Sequence, residues 1–182
     1  MFSLRVFLLF IISVICSGCI GPGTVSELQT KNVSGFFPKL KGNDLMGNER
    51  SFPKVFDQGL NWVVVAFKRH HQADVDSWFS AYQAYYQNKP KKPLFYELPV
   101  IDSRHFLSRL WLNNAMYYGI DDEEALKRTI VIYTSLSDFL KIMNMDEKDV
   151  YCLLIDKKGK ILAKIKGKPN NEKMKRLVAL PT

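Results

Sequence analysis

Three histidines and three cysteines are the side chains of this 182-residue sequence best suited to proton transfer, metal ligation or thiol chemistry. His70 and His71 are adjacent, inside the run Lys68-Arg69-His70-His71-Gln72-Ala73-Asp74, while His105 is remote in sequence. An imidazole titrates near neutrality, so either histidine of the pair can act as an acid, a base or a ligand. Adjacent imidazoles point in different directions, so a stable metal site needs more donors, and Asp74, Asp76 and His105 are the candidates. No nucleophile stands in a recognisable motif beside them. A metal carrier built on His70 and His71, acid–base chemistry, and a plain polar loop all fit this run. Arg69 has its own alternatives. Its guanidinium can grip a carboxylate or phosphate with two parallel hydrogen bonds, or pair with Asp74 or Asp76.

The cysteines are Cys16, Cys19 and Cys152. The first two lie in the opening segment, where Arg5 precedes the apolar run VFLLFIISVI from Val6 to Ile15. That run is too short to span hydrocarbon, which takes ~20 apolar residues. A short positive start, an apolar middle and small residues behind it make a secretory signal peptide. Ser17-Gly18 runs straight into Cys19, an arrangement that resembles the bacterial lipobox, with Cys16 standing where Leu is commonest. The expectation is cleavage before Cys19 and attachment of lipid to its sulfur, so residues 1–18 are signal, 19–35 a flexible tether and 36–182 the domain. Several acyl chains give durable anchoring where one gives only reversible binding. The residue after the lipid site is Ile20 rather than Asp, which favours the outer over the inner membrane, on the periplasmic side of a bacterial envelope.

Cysteine arithmetic follows from that reading. With Cys16 removed and Cys19 acylated, Cys152 is the one remaining thiol and has no partner for an internal disulfide. Cys152 lies in the apolar run Val150-Tyr151-Cys152-Leu153-Leu154-Ile155, where cysteine behaves as a small hydrophobe. A divergent thiol oxidoreductase or peroxidase-like enzyme using Cys152 is the enzymatic alternative. Loss of Arg5 with the signal takes the formal charge from +8 to +7. Such a balance suits anionic lipid headgroups or acidic protein surfaces. Nucleic acid is a poor partner outside the cytoplasm, and no cofactor is implied.

The elements that position these side chains follow from hydrophobic period. Residues 37–52 alternate apolar and polar around Gly42-Asn43 and Gly47-Asn48, which predicts a short β-hairpin. Trp62 to Phe67, WVVVAF, predicts a strand buried on both faces. Val75, Trp78, Phe79, Tyr82, Tyr85 and Tyr86 recur at helical spacing from Asp74 to Gln87. Trp78 falls on the apolar stripe and suits either core or contact surface. Leu94 to Ile101 predicts a second strand, with Pro99 arguing for an edge or an irregular end. A helix over residues 106–116, a short helix or loop from Asp121, a strand over Thr129–Thr134 and a short helix over Ser137–Met143 follow. Val150–Ile155 and Lys160–Ile165 flank Asp156-Lys157-Lys158-Gly159, a hairpin signal. A helix from Asn170 to Leu180 closes the chain, capped by Asn170 or Asn171.

Alternating strands and helices predict an α/β fold, a central mixed sheet flanked by helices with an N-terminal β-hairpin. The opening FPKLKGNDLMG and the closing LLIDKKGKILAKIKG resemble the entry hairpin and final hairpin of the thioredoxin-like fold in its peroxiredoxin-type form. The resemblance implies that the reactive cysteine belongs after the first central strand, at a helix N-terminus where the helix dipole favours a thiolate. Lys68 to Asp74 stands there and contains no cysteine. The resemblance also implies a cis-proline before the last hairpin, where this chain has Val150. Within that superfamily the chain resembles the mitochondrial ATP synthase assembly factors. The resemblance rests on Phe37-Pro38-x-Leu40-x-Gly42 with Leu45 and Gly47, on Phe67, Arg69, Gln72 and Val75-Asp76-Ser77-Trp78, on Leu98–Leu110 and on YCLLIDKKGKI. It implies a redox-inactive binding or chaperone-like assembly role. The tether, the basic surface and the missing redox motif point to the same role with a membrane-protein partner, and make Arg69, His70, His71, Gln72 and Asp76 the candidate binding residues, beside Trp78, with no catalytic or metal-binding ones. Those factors are mitochondrial, so the client of an envelope lipoprotein does not carry over.

Overall fold

The computed structural model describes residues 35–56, 59–103 and 123–179. The expected signal, the tether with Cys19, His105 and the helix over 106–116 lie outside the described residues.

Seven strands form one mixed sheet in the order β2-β1-β5-β4-β3-β6-β7. Strands β1 (Leu40–Asp44) and β2 (Glu49–Phe52) are the expected N-terminal hairpin. Its turn is tied by Asp44, a buried carboxylate that accepts the backbone N–H of Asn48 at 2.8 Å and pairs with Arg50 at 2.8 Å. Strands β3 (Leu60–Ala66), β4 (Leu94–Asp102) and β5 (Ile130–Thr134) run parallel, and β1 joins them antiparallel to β5. Strands β6 (Tyr151–Asp156) and β7 (Ile161–Lys166) close the other side as a hairpin, with β6 antiparallel to β3.

Period decides which side chains leave each face. On β3, Val63 and Val65 face one layer while Trp62, Val64 and Ala66 face the other, all buried. The first layer holds α3 (Leu136–Met143) through Phe139 and Met143, with Phe37, Phe52 and Phe56 filling the space beside it. The second holds α1 (Gln72–Tyr86) and α4 (Asn171–Val178) through Val75, Trp78, Tyr82, Tyr86 and Leu177. A smaller cluster of Leu45, Val131 and Leu126 seats α2 (Glu123–Arg128). Helix ends are satisfied locally. Ser135 caps α3 by accepting the N–H of Asp138, and Asn170, as expected, caps α4 by accepting the N–H of Lys173. Each cap stabilises by about 1 kcal/mol.

One expectation is overturned. Pro99 lies in an interior strand, since β4 has neighbours on both sides. It fits because it is the last β4 residue paired with β3, opposite Ala66, and falls in a gap on the β5 side between the Glu97–Thr129 bridge and the ladder that runs on from Val100. A missing N–H is tolerated where one ladder hands over to the next.

The β6–β7 turn sits hard against the start of the domain. Gly159 has φ +84°, and a Cβ placed there would lie 2.4 Å from the Cβ of Pro53. Backbone bonds from Phe37 N–H to the Gly159 carbonyl, 2.8 Å, and from Ile161 N–H to the Gly35 carbonyl, 2.6 Å, strap the incoming chain to this turn.

Candidate functional site

Strand β3 ends at Ala66, and the chain turns at Phe67 and Lys68 into one 3-10 turn, Arg69–His71, that feeds α1 at Gln72. Loops before β6 and after β7 flank this turn, because Tyr151 pairs opposite Val65 and the Gly167 N–H donates to the Val150 carbonyl at 2.8 Å. The sequence expectation of a turn at a helix start after the first central strand holds, and Val150 lies buried immediately ahead of β6.

The five candidate binding residues separate into two environments. Arg69, His70, Gln72 and Asp76 are exposed, whereas His71 is 2% exposed. His71 therefore leaves the group of surface contacts. Its Nδ1 accepts the backbone N–H of Phe67 at 3.4 Å, and its ring lies edge-on to that of Phe67. A ring that accepts at Nδ1 carries its proton on Nε2 when neutral. Nε2 is buried without a hydrogen bond of good geometry. Burial, and then the charge of His70, hold the imidazole below its ordinary pKa, while Asp74 and the Lys148 carbonyl oppose the shift. His71 is thus a neutral structural imidazole near pH 7. The two imidazoles meet edge to face with centroids 4.7 Å apart. Among the described residues no three His, Cys, Asp or Glu side chains form a group able to hold a metal ion.

The acids offered to Arg69 have other partners. Asp74 pairs with Lys168 at 3.1 Å, and Asp76 accepts from the Gln72 amide at 3.0 Å. Lys68 reaches across to Glu147 at 3.2 Å. Trp78 resolves to core, since it is fully buried and its indole N–H donates to the Gly167 carbonyl at 2.9 Å. That bond fixes the loop after β7 against α1.

Glu97 was not among the expected site residues. It lies on β4 beneath α1, where burial, reinforced by the charge of Asp76, pushes its carboxyl up to about 7, and a hydrogen bond from Gln72 opposes the shift. The signal available in the sequence was a single acid inside the apolar run LFYELPVID. Gln72 therefore links two carboxyl groups, one at the surface and one beneath it.

Cys152 is fully buried in β6, opposite Val64 of β3, and forms no disulfide. Burial pushes its thiol far above the ordinary thiol range. A thiolate is the reactive form, and it is not available here.

No protein-family model and no curated protein matches the chain. Solved structures do. The exposed lipoprotein thioredoxin Etrx1 of Streptococcus pneumoniae superposes with a TM-score of 0.52 at 14% identity, covering 78% of this chain and 99% of its own. Yeast Sco1 gives 0.54 at 10% identity, covering 82% and 99%. BsSco, a member of the Sco family of cytochrome c oxidase assembly proteins, gives 0.52 at 9% identity, covering 81% and 94%. At such identities the likeness shows the fold alone, and that fold is the thioredoxin-like one. No helix among the described residues is long and apolar enough to cross a membrane.

Proposed function

We propose that this chain is a lipid-tethered assembly module of the bacterial envelope that works by binding a membrane-protein partner rather than by thiol exchange. One observation carries the reading. The turn at the end of β3 presents Arg69, His70 and Gln72 to solvent in place of a thiol, while Cys152 is sealed in the sheet beneath. Three further points support it. The Ser17-Gly18-Cys19 arrangement resembles a lipobox. The chain resembles the ATP synthase assembly factors in the residues quoted above. Two of its structural relatives are described as an exposed lipoprotein and as a member of a family of oxidase assembly proteins. The partner contact is assigned to Arg69, His70, Gln72 and Asp76, whose charged and amide groups suit a polar peptide segment.

A photo-crosslinking residue at position 70, in the full chain at native expression, tests this. The expected result is a protein adduct in the membrane fraction that disappears when Arg69 and Gln72 are both replaced by Ala. Absence of any protein adduct sinks the binding reading. Thiol-peroxide turnover that vanishes in Cys152→Ser moves the chain to the enzymes.

A further inference from the structure

The two ends of the sheet carry different charge. Leu60 and Asn61, at the start of β3, pair with Asp156 and Leu94. The β6–β7 turn and the loop between α1 and β4 therefore lie together, and the Arg69–His71 turn lies at the other end, roughly 20 Å away along β3 at ~3.3 Å per residue. The near end carries Lys89, Lys91, Lys92, Lys157, Lys158 and Lys160, all exposed and none in an ion pair among the described residues. Lys54 adds to them beside Pro53, which touches Gly159. Asp156 is the acid of the turn, and its Oδ1 is occupied by the backbone N–H groups of Lys158 and Lys160. At the far end acids offset the lysines. There Lys68, Lys166 and Lys168 are paired with Glu147, Asp146, Asp149 and Asp74.

The same near end receives the chain. Gly35 and Phe36 pair with Ile161 and Lys160 at this turn. Phe36 is 42% exposed, one of three large apolar side chains at the surface among the described residues. An exposed aromatic ring among lysines outside any described ion pair, one of which, Lys89, lies over the Tyr85 ring, is the pattern of an interfacial membrane contact.

We infer that this end of the domain docks on anionic phospholipid headgroups, so that Arg69 and His70 face away from the bilayer. The inference rests on the tethered reading only for which surface lies nearest. Gly35 lies sixteen residue steps beyond Cys19, so a lipid on Cys19 holds the domain within ~55 Å of the headgroups, at ~3.5 Å per step. Each lysine near an anionic surface strengthens attachment about fivefold, and salt screens the effect. An acidic protein surface is the competing occupant, since a cavity lined by Arg50, Lys54, Leu94 and Arg128 borders this end, and the crosslinking arm below distinguishes it.

Flotation with vesicles tests the surface apart from the lipid. The chain from residue 19 onward, with Cys19→Ser so that no acyl group is attached, keeps both core layers entire. It is mixed with vesicles of phosphatidylcholine alone or with phosphatidylglycerol added. The expected result is binding to the phosphatidylglycerol vesicles alone, weakened by salt and reduced about a hundredfold in a Lys157→Glu, Lys158→Glu, Lys160→Glu variant. A Lys148→Glu, Lys175→Glu variant, with its changes elsewhere, binds as the parent does. Circular dichroism of each variant establishes that it is folded. No binding to anionic vesicles, or equal loss in both variants, overturns the inference. So does crosslinking of residue 158 in cells to an acidic protein without any vesicle binding. Intact mass of the cellular protein reports acylation of Cys19 separately, so failure of the tether and failure of the surface are distinguishable.

Discussion

His71 Nδ1 accepts the backbone N–H of Phe67 at 3.4 Å, closing the turn between β3 and α1 back on the strand that leads into it. The protonated ring could not accept that bond. Burial and His70 lower the pKa of His71 from its model-compound value of 6.5. In the window below 6.5 the unfolded chain binds the proton first, so stability rises with pH through the window and is lost as pH falls. Urea melts across pH 7 to 5, in a Glu97→Gln background that removes a carboxyl of opposite sign in the same window, should show stability falling with pH. His71→Phe should flatten that slope, and His70→Ala, which removes the smaller of the two causes, should flatten it only in part. A parallel slope in the His71 variant counts against the assignment.

Glu97 has the opposite sign. Its folded carboxyl holds a proton up to about 7, against 4.5 for the free group. Between those values the folded state binds more protons, so stability falls as pH rises and the cost is complete above 7. Glu97→Gln removes the charge and keeps the shape. It should raise stability by ~1–3 kcal/mol at pH 8 and have little effect at pH 4.5. Asp76→Asn should recover part of the gain at pH 8 by removing the neighbouring charge. Equal effects at both pH values would show that the Glu97 carboxyl is not perturbed.

Trp78 fixes the loop after β7 by one hydrogen bond and fills the core with its rings. Trp78→Phe keeps most of the packing and drops the N–H donor to Gly167, at a cost of about 1–3 kcal/mol for the unpaired carbonyl and lost area. Trp78→Ala should cost about 3–5 kcal/mol. Thermal or urea unfolding separates the two. Near-equal losses would assign the whole effect to the hydrogen bond.

Cys152 should be inert in the folded protein. A thiol-specific reagent should label it only under denaturing conditions, and peroxide should consume it no faster than the unfolding rate allows. Cys152→Ser buries a hydroxyl among valine and leucine and should cost ~1–3 kcal/mol. Rapid native labelling would reopen the enzyme reading.

Much of this fold was legible because strong local signals agree with it. WVVVAF could only be a doubly buried strand, DKKG between apolar runs only a turn, and Asn170 caps α4 as its position before a helical run requires. Pro99 misled because its local rule knows nothing of where one ladder ends and the next begins. At the candidate site the turn's place was readable, but the sorting of its residues was not. Nothing in Arg69-His70-His71-Gln72 marks His71 as the buried member, since a single 3-10 turn sets which ring points inward. Glu97 joins Gln72 and Asp76 only through the packing of α1 on β4, a contact 21 residues distant from Asp76 in sequence. Trp78 lay on a stripe that pattern alone leaves ambiguous until its N–H is seen to reach Gly167.

The strap at Gly35–Phe37 has a mechanical consequence. In the tethered arrangement proposed above, a pull on the membrane reaches the described domain through the bonds at its N-terminal edge. Those are the bonds from Ile161 N–H to Gly35 and from Phe37 N–H to Gly159. Load therefore enters the sheet at the β6–β7 hairpin, and the two-stranded β1–β2 hairpin at the opposite edge is spared, although it comes next along the chain. The β1–β2 hairpin is shielded from tension by a seam of two hydrogen bonds placed ahead of it.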